Sequence, residues 1–127
     1  MNERKPLKPT ESELEILQIL WNEKAATVRT VHEALSITKD SGYTTTLKLM
    51  QIMFEKGLVK RDSSMKTHFY QPAVSREKTQ KHMLGKMIDT LFGGSSTQLV
   101  MQALGNHNTT PEELEEIRKL IDNLKKD

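Results

Sequence analysis

Apolar side chains recur along the chain with helical spacing in five or six stretches, and with a spacing of two in one short region near the middle. The clearest helical stretch begins after Gly42. Thr46 (by its methyl), Leu49, Met50, Met53 and Phe54 fall at i, i+3, i+4, i+7 and i+8, one face of a helix. The opposite face carries Thr44, Thr45, Leu47, Lys48 and Gln51. Gly57 after Lys56 stops the helix, the cation suiting the negative end of its dipole. Leu58 to Arg61 then reads as a strand, Asp62 to Lys66 as a turn, and Thr67 to Gln71 as the returning strand, which Pro72 ends.

Upstream, Thr10-Glu11-Ser12-Glu13 has the form of a capping box opening a helix whose apolar face is Leu14, Leu17, Leu20 and Trp21. Trp21 reads as a core anchor. Thr27 caps a second helix, Val28 to Leu35, with Val31, Ala34 and Leu35 inward. A polar connection, Ser36 to Ser41, leads to the third helix. Three short helices followed by a hairpin is the order of a winged helix-turn-helix, in which the third helix enters the major groove and the hairpin lies on phosphates beside it. Between Lys56 and Pro72 stand Lys56, Lys60, Arg61 and Lys66 against one acid, Asp62. The plain alternative is a helix–hairpin unit whose polar face meets only water.

Everything after Pro72 reads as helical. Ser75 caps a helix to about Phe92 with Met83, Leu84, Met87, Ile88 and Leu91 apolar, and Gly93-Gly94 breaks it. A shorter helix from Ser95 or Ser96 carries Leu99, Val100, Ala103 and Leu104, and Gly105 to Asn108 form a loop. Thr110-Pro111-Glu112-Glu113 then opens a last helix with Thr at the cap, Pro at N1 and Glu at N3. Leu114, Ile117, Leu120, Ile121 and Leu124 make a narrow seam along it. The expected division is a frayed arm over 1–9, a DNA-binding domain over 10–73 and a helical domain over 74–127. Three tail helices with so few large side chains make a poor independent core. Their seam either folds back on the first domain or pairs with a second copy, and two-fold DNA sites favour the second. Met83, Met87, Leu91, Leu99, Val100, Leu114, Ile117, Ile121 and Leu124 are the candidate dimerisation residues.

Composition narrows the chemistry. The chain of 127 residues has no cysteine, so disulfides, thiolate catalysis and cysteine metal sites are excluded. His32, His68, His82 and His107 form no HxxxH or HxH pair, and no metal or cofactor is expected. No Gly-rich phosphate loop or nucleophile elbow is present, which argues against an enzyme. A net charge of +2 does not announce a nucleic-acid binder, so a basic footprint has to be local. No apolar run is long enough to span a bilayer, and the opening MNERKPLKPT has no signal-peptide core, so no membrane insertion and a cytoplasmic, nucleoid-associated location are expected.

The segments LKPTESELEILQILW, YTTTLKLMQIMFEKGLV, FYQPAVSREK, LFGGSSTQLVMQAL and TTPEELEEIRKLI, spanning most of Leu7 to Ile121, resemble the penicillinase-repressor family of bacterial regulators, which includes methicillin-resistance and copper-efflux repressors. The resemblance implies a mainly α protein: an N-terminal winged helix, a C-terminal helical dimerisation module, and repression from inverted-repeat operators. Copper sensing in that family uses tail cysteines, which this chain lacks. The β-lactam branch is induced through a membrane sensor and a protease pathway cutting an Asn-Phe bond, where this chain has Gln102-Ala103.

Tyr43, Thr44 and Thr45 match the family's motif at the start of helix three. The hydroxyls of the two threonines, with the free amides of the first turn, can hold phosphate or reach base edges; they can also be plain caps, and the two are compatible. Lys48 suits guanine or phosphate and Leu47 a thymine methyl, while Gln51 either reads adenine or is solvated. Arg61 and Lys66 flank the wing tip and are expected at phosphate, with Lys60 pointing elsewhere. A winged-helix subunit docking on protein instead of DNA is the competing expectation.

Overall fold

The computed structural model describes residues 8–106 and 108–126. The expected arm up to Leu7, and His107 of the expected loop, lie outside them. Among the described residues the order is α1 (Glu11–Glu23), α2 (Val28–Leu35), α3 (Tyr43–Lys56), β1 (Val59–Asp62), β2 (Phe69–Pro72), α4 (Arg76–Leu91), α5 (Ser96–Asn106) and α6 (Pro111–Leu124). The chain forms two compact units, the first ending at Met83 and the second starting at Leu84. The division falls within α4.

The first unit is a winged helix. Thr10 caps α1 reciprocally: Glu13 N–H donates to the Thr10 hydroxyl at 3.2 Å, and Thr10 N–H donates to the Glu13 carboxylate at 2.9 Å. Thr27 caps α2 by accepting from Thr30 N–H. Gly57 closes α3 with a left-handed φ of 86°, a conformation that a residue with a Cβ adopts only under strain. β1 and β2 pair antiparallel, with Val59 opposite Pro72 and Arg61 opposite Tyr70. A third piece joins this hairpin. Ala26 and Tyr70 exchange both backbone hydrogen bonds, at 3.0 and 2.8 Å, so the α1–α2 connection pairs with β2 like a short strand.

The core contains Ile16, Leu17 and Leu20 from α1, Val28, Val31 and Leu35 from α2, and Met50 and Met53 from α3, closed below by Leu58, Val59 and Tyr70. Because α1 packs against α2, α3 and β2 together, its buried face is wider than the expected stripe. It takes in Ile16 and Glu13, while Leu14 and Trp21 sit only half-buried at its edge. Trp21 is therefore an edge anchor rather than a buried one, with Nε1 donating to the Val74 carbonyl at 3.0 Å. Phe54 differs outright from its expected inward place. It is 38% exposed, beyond the buried line of Thr46, Met50 and Met53, and its ring carries the Arg61 guanidinium.

Among the described residues of this unit Glu13 is the buried charge, 2% exposed, and it accepts from Lys56 Nζ at 2.7 Å across the start of α1 and the end of α3. Burial pushes its carboxyl up. The Lys56 hydrogen bond and charge and the Thr10 N–H outweigh that and hold it below its ordinary value of 4.5. A carboxyl whose folded-state value is depressed contributes stability that is complete above the unfolded value and lost as pH falls through the lower folded one. Glu13→Gln is expected to cost about 1 kcal/mol at neutral pH, since Lys56 is partly solvated. It should also flatten the acid limb of stability below about pH 4.5, as measured by urea melts across pH.

Ser75 Oγ accepts from Lys78 N–H just ahead of α4, and in the second unit Ser95 Oγ accepts from Gln98 N–H at the start of α5. Thr110 and Glu113 form a capping box at α6, as Thr10 and Glu13 do at α1. None of the described residues of α4, α5 or α6 is buried.

Candidate nucleic-acid interface

An open cleft of about 580 Å³ lies between the wing and the first turns of α2 and α3. α3 contributes Tyr43, Leu47 and Gln51, one side chain per turn. β1 and the wing loop contribute Arg61, Lys66, Thr67 and His68, and the start of α2 contributes Thr27 and Arg29. Among the described residues no carboxylate lines it. Among the described residues no acid pairs with Arg29, Arg61 or Lys66, whose charges stand free for an anion.

Each wall has a local cause. The Arg61 guanidinium lies 4.2 Å from the Phe54 ring centroid, a cation–π contact that holds the base of the wing against α3. Arg61 Nε is buried with no hydrogen-bond partner among the described residues, and the side chain lines the cleft. The wing turn is shaped by Asp62, whose carboxylate accepts from Ser64 N–H at 3.0 Å. That bond and the Ser64 hydroxyl hold the Asp62 carboxyl below its usual range. Tyr43 is clasped from α2, with the Arg29 guanidinium 5.4 Å from its ring centroid and His32 edge-on at 5.7 Å.

The structure divides the eight expected DNA-binding residues into two groups. Tyr43, Leu47, Gln51, Arg61 and Lys66 converge on the cleft, while Thr44, Thr45 and Lys48 are exposed on the adjoining face of α3, outside it. The plain-cap alternative for Thr44 and Thr45 falls: Gly42 is the N-cap of α3, with no side-chain bond, so both hydroxyls are uncommitted to capping. Leu47 is half-buried and packs on the core while lining the cleft, which makes it part wall and part core. Lys60 is exposed on the strand face opposite to Arg61's neighbours in the core. Arg29, Thr27 and His68 were not among the expected residues. Arg29 sits on the exposed side of a helix marked by its inward Val31 and Leu35, and nothing in its own segment links it to Tyr43 fourteen residues on.

A helix and wing meeting at an acid-free cleft agree with what comparison with known proteins finds. The penicillinase repressor family model matches residues 9–123. The chain belongs to the penicillinase repressor family. It is 21% identical over 115 residues to the penicillinase repressor of Staphylococcus aureus, covering 91% of each chain. It is 35% identical over 77 residues to the transcriptional regulator BlaI of Mycobacterium tuberculosis, covering 60% of this chain and 54% of that one. In fold, the solution structure of the DNA-binding domain of the repressor BlaI superposes with a TM-score of 0.51 at 19% identity, over 58% of this chain and 90% of that one. The penicillinase repressor family is one of transcriptional regulators, not of enzymes.

The nine candidate dimerisation residues all lie on α4, α5 or α6. Met83, at the end of the first unit, is half-buried, as are Leu99 and Ile117. Met87, Leu91, Val100, Leu114, Ile121 and Leu124 are exposed, and Leu84, Met101 and Leu120, which the expected set omitted, are exposed as well. No helix among the described residues is long and apolar enough to cross a membrane.

Proposed function

We propose that this chain is a transcriptional repressor that binds inverted-repeat DNA as a homodimer in the cytoplasm, with α3 in the major groove and the wing on the flanking backbone. The observation that carries the reading is the acid-free, cation-walled cleft between α3 and the wing, in a chain of the penicillinase repressor family. Thr44, Thr45 and Lys48, exposed and clear of the cleft, are the candidates for base edges, and Arg61 and Lys66 for phosphate. The homodimer is supported by α4, α5 and α6 leaving large apolar side chains exposed along their length, with Leu91, Met101, Leu120 and Leu124 each more than half in water. If induction is proteolytic, the bond cut differs from the family's Asn-Phe pair, since Gln102-Ala103 stand in that position.

Fluorescence anisotropy against random duplexes and duplexes selected from a random library tests the reading. Saturable binding that prefers the selected duplex and weakens steeply with salt is expected. An absence of binding at low salt sinks it and favours a protein-docking subunit. Lys48→Ala should weaken binding to the selected duplex by about 1–3 kcal/mol more than to random DNA. Lys66→Ala should weaken both alike and flatten the salt dependence by about one unit per subunit. Equal losses for Lys48→Ala on both duplexes would make it a phosphate contact.

A further inference from the structure

We infer that the cleft seats the sugar–phosphate backbone of one DNA strand, and that Arg29, from the first turn of α2, is the phosphate contact on the wall facing the wing, with Tyr43 as the residue that positions it. The inference rests on the DNA-binding reading above and assigns roles within that site.

Three observations carry it. The first is the arrangement of charge. Arg61 and Lys66 stand on the wing side of the cleft and Arg29 on the α2 side; among the described residues no carboxylate lines it and no acid pairs with any of the three. A polyanion entering the cleft meets cations from both sides, whereas a neutral ligand would leave all three unpaired.

The second is preorganisation. An exposed arginine ordinarily loses much side-chain freedom on binding, which offsets the contact it makes. Arg29 is exposed, yet its guanidinium already lies over the Tyr43 ring, and Tyr43 is braced on another side by His32. His32 is tied in turn to Thr46 of α3, Oγ1 to Nδ1 at 3.4 Å, and to Ser36 Oγ at 3.5 Å. Among the described residues no hydrogen bond or ion pair engages the Arg29 guanidinium, so the N–H groups that grip phosphate remain available.

The third is the split in α3. Tyr43, Leu47 and Gln51 face the cleft, and Thr44, Thr45 and Lys48 lie outside it. A helix whose outer stripe reads base edges turns its next stripe toward the adjoining backbone. Leu47 then offers apolar contact to a deoxyribose, and Gln51 meets backbone atoms rather than an adenine edge.

Salt-dependent binding of the full-length protein tests the assignment, with random and selected duplexes as the two probes. Arg29→Ala should weaken both equally, by about five-fold per subunit near 0.15 M salt. The slope of log K against log salt should become shallower by about 0.9 per subunit. Arg29→Lys should restore the slope, because the charge returns. Tyr43→Ala should lose affinity on both duplexes, and should lose little more when combined with Arg29→Ala, because the two substitutions break one contact. A loss confined to the selected duplex would make Arg29 a base contact and overturn the assignment. Wild-type affinity and slope in Arg29→Ala would make it a solvated cation, and the repressor reading would still stand. Failure of the wild type to bind either duplex overturns both, and is visible before any substitution is made.

Discussion

Replacing Leu91 and Leu124 together with Asp in the full-length chain is expected to turn a dimer into a monomer and to lower operator affinity about 10²–10⁴-fold. These two side chains are 70% and 74% exposed within one chain, so a carboxylate at either position disturbs little of the subunit's own packing. In an interface, the same carboxylates would be taken out of water without partners. Each winged helix keeps its contacts with a half-site. What disappears is the linkage that makes the second half-site an intramolecular event, and the range quoted is that of a lost second step. Sedimentation equilibrium follows the assembly and anisotropy the affinity, with Lys119→Asp on the polar side of α6 as a control. A double variant that stays dimeric would place the interface elsewhere.

The second large effect is expected at Tyr70. Its side chain fills the base of the core at 2% exposure, and its backbone makes both hydrogen bonds to Ala26. Tyr70→Ala should destabilise the chain by about 3–5 kcal/mol, the usual result of removing a buried aromatic side chain and leaving its cavity. That is a large part of the roughly 5–15 kcal/mol that holds a domain together. The loss falls where β2 is stitched to the α1–α2 connection, so the wing and Arg29 lose their common support along with the core. Urea unfolding measures it, and a change below about 1 kcal/mol would contradict the packing described. Tyr70→Phe, which keeps the ring, should retain most of the stability.

Local signals in the sequence were sufficient for the elements, and non-local ones were not. Thr10, Thr27 and Thr110 each accept from a backbone N–H three residues on, as their segments predicted, because a cap depends only on its own first turn. Gly57 likewise closes α3 in the left-handed conformation that its place after Lys56 suggested. Periodicity located the apolar face of α1 but not its width. Which flank is buried depends on what packs there, so Ile16 and Glu13 were missed and Leu14 and Trp21 over-buried. Phe54 fits the helical stripe and leaves the core because Arg61 from the next strand offers its ring another partner. The wing residues were legible as cations, whereas Arg29 was not: its role depends on Tyr43 being brought to it from another helix. The bridge between Ala26 and Tyr70 joins two backbones, and neither side chain announces it.

Selection from a fully randomised duplex library, followed by sequencing of the enriched DNA, tests the central claim most directly. A two-fold reader working through α3 and the wing should enrich an inverted repeat, its half-sites about one helical turn apart or a multiple of that. Thr44→Ala or Lys48→Ala should change the preferred bases within each half, while Lys66→Ala should leave the preferred sequence intact. Enrichment of no sequence, or of a single unrepeated motif bound by one subunit, would contradict a dimeric repressor reading two-fold DNA.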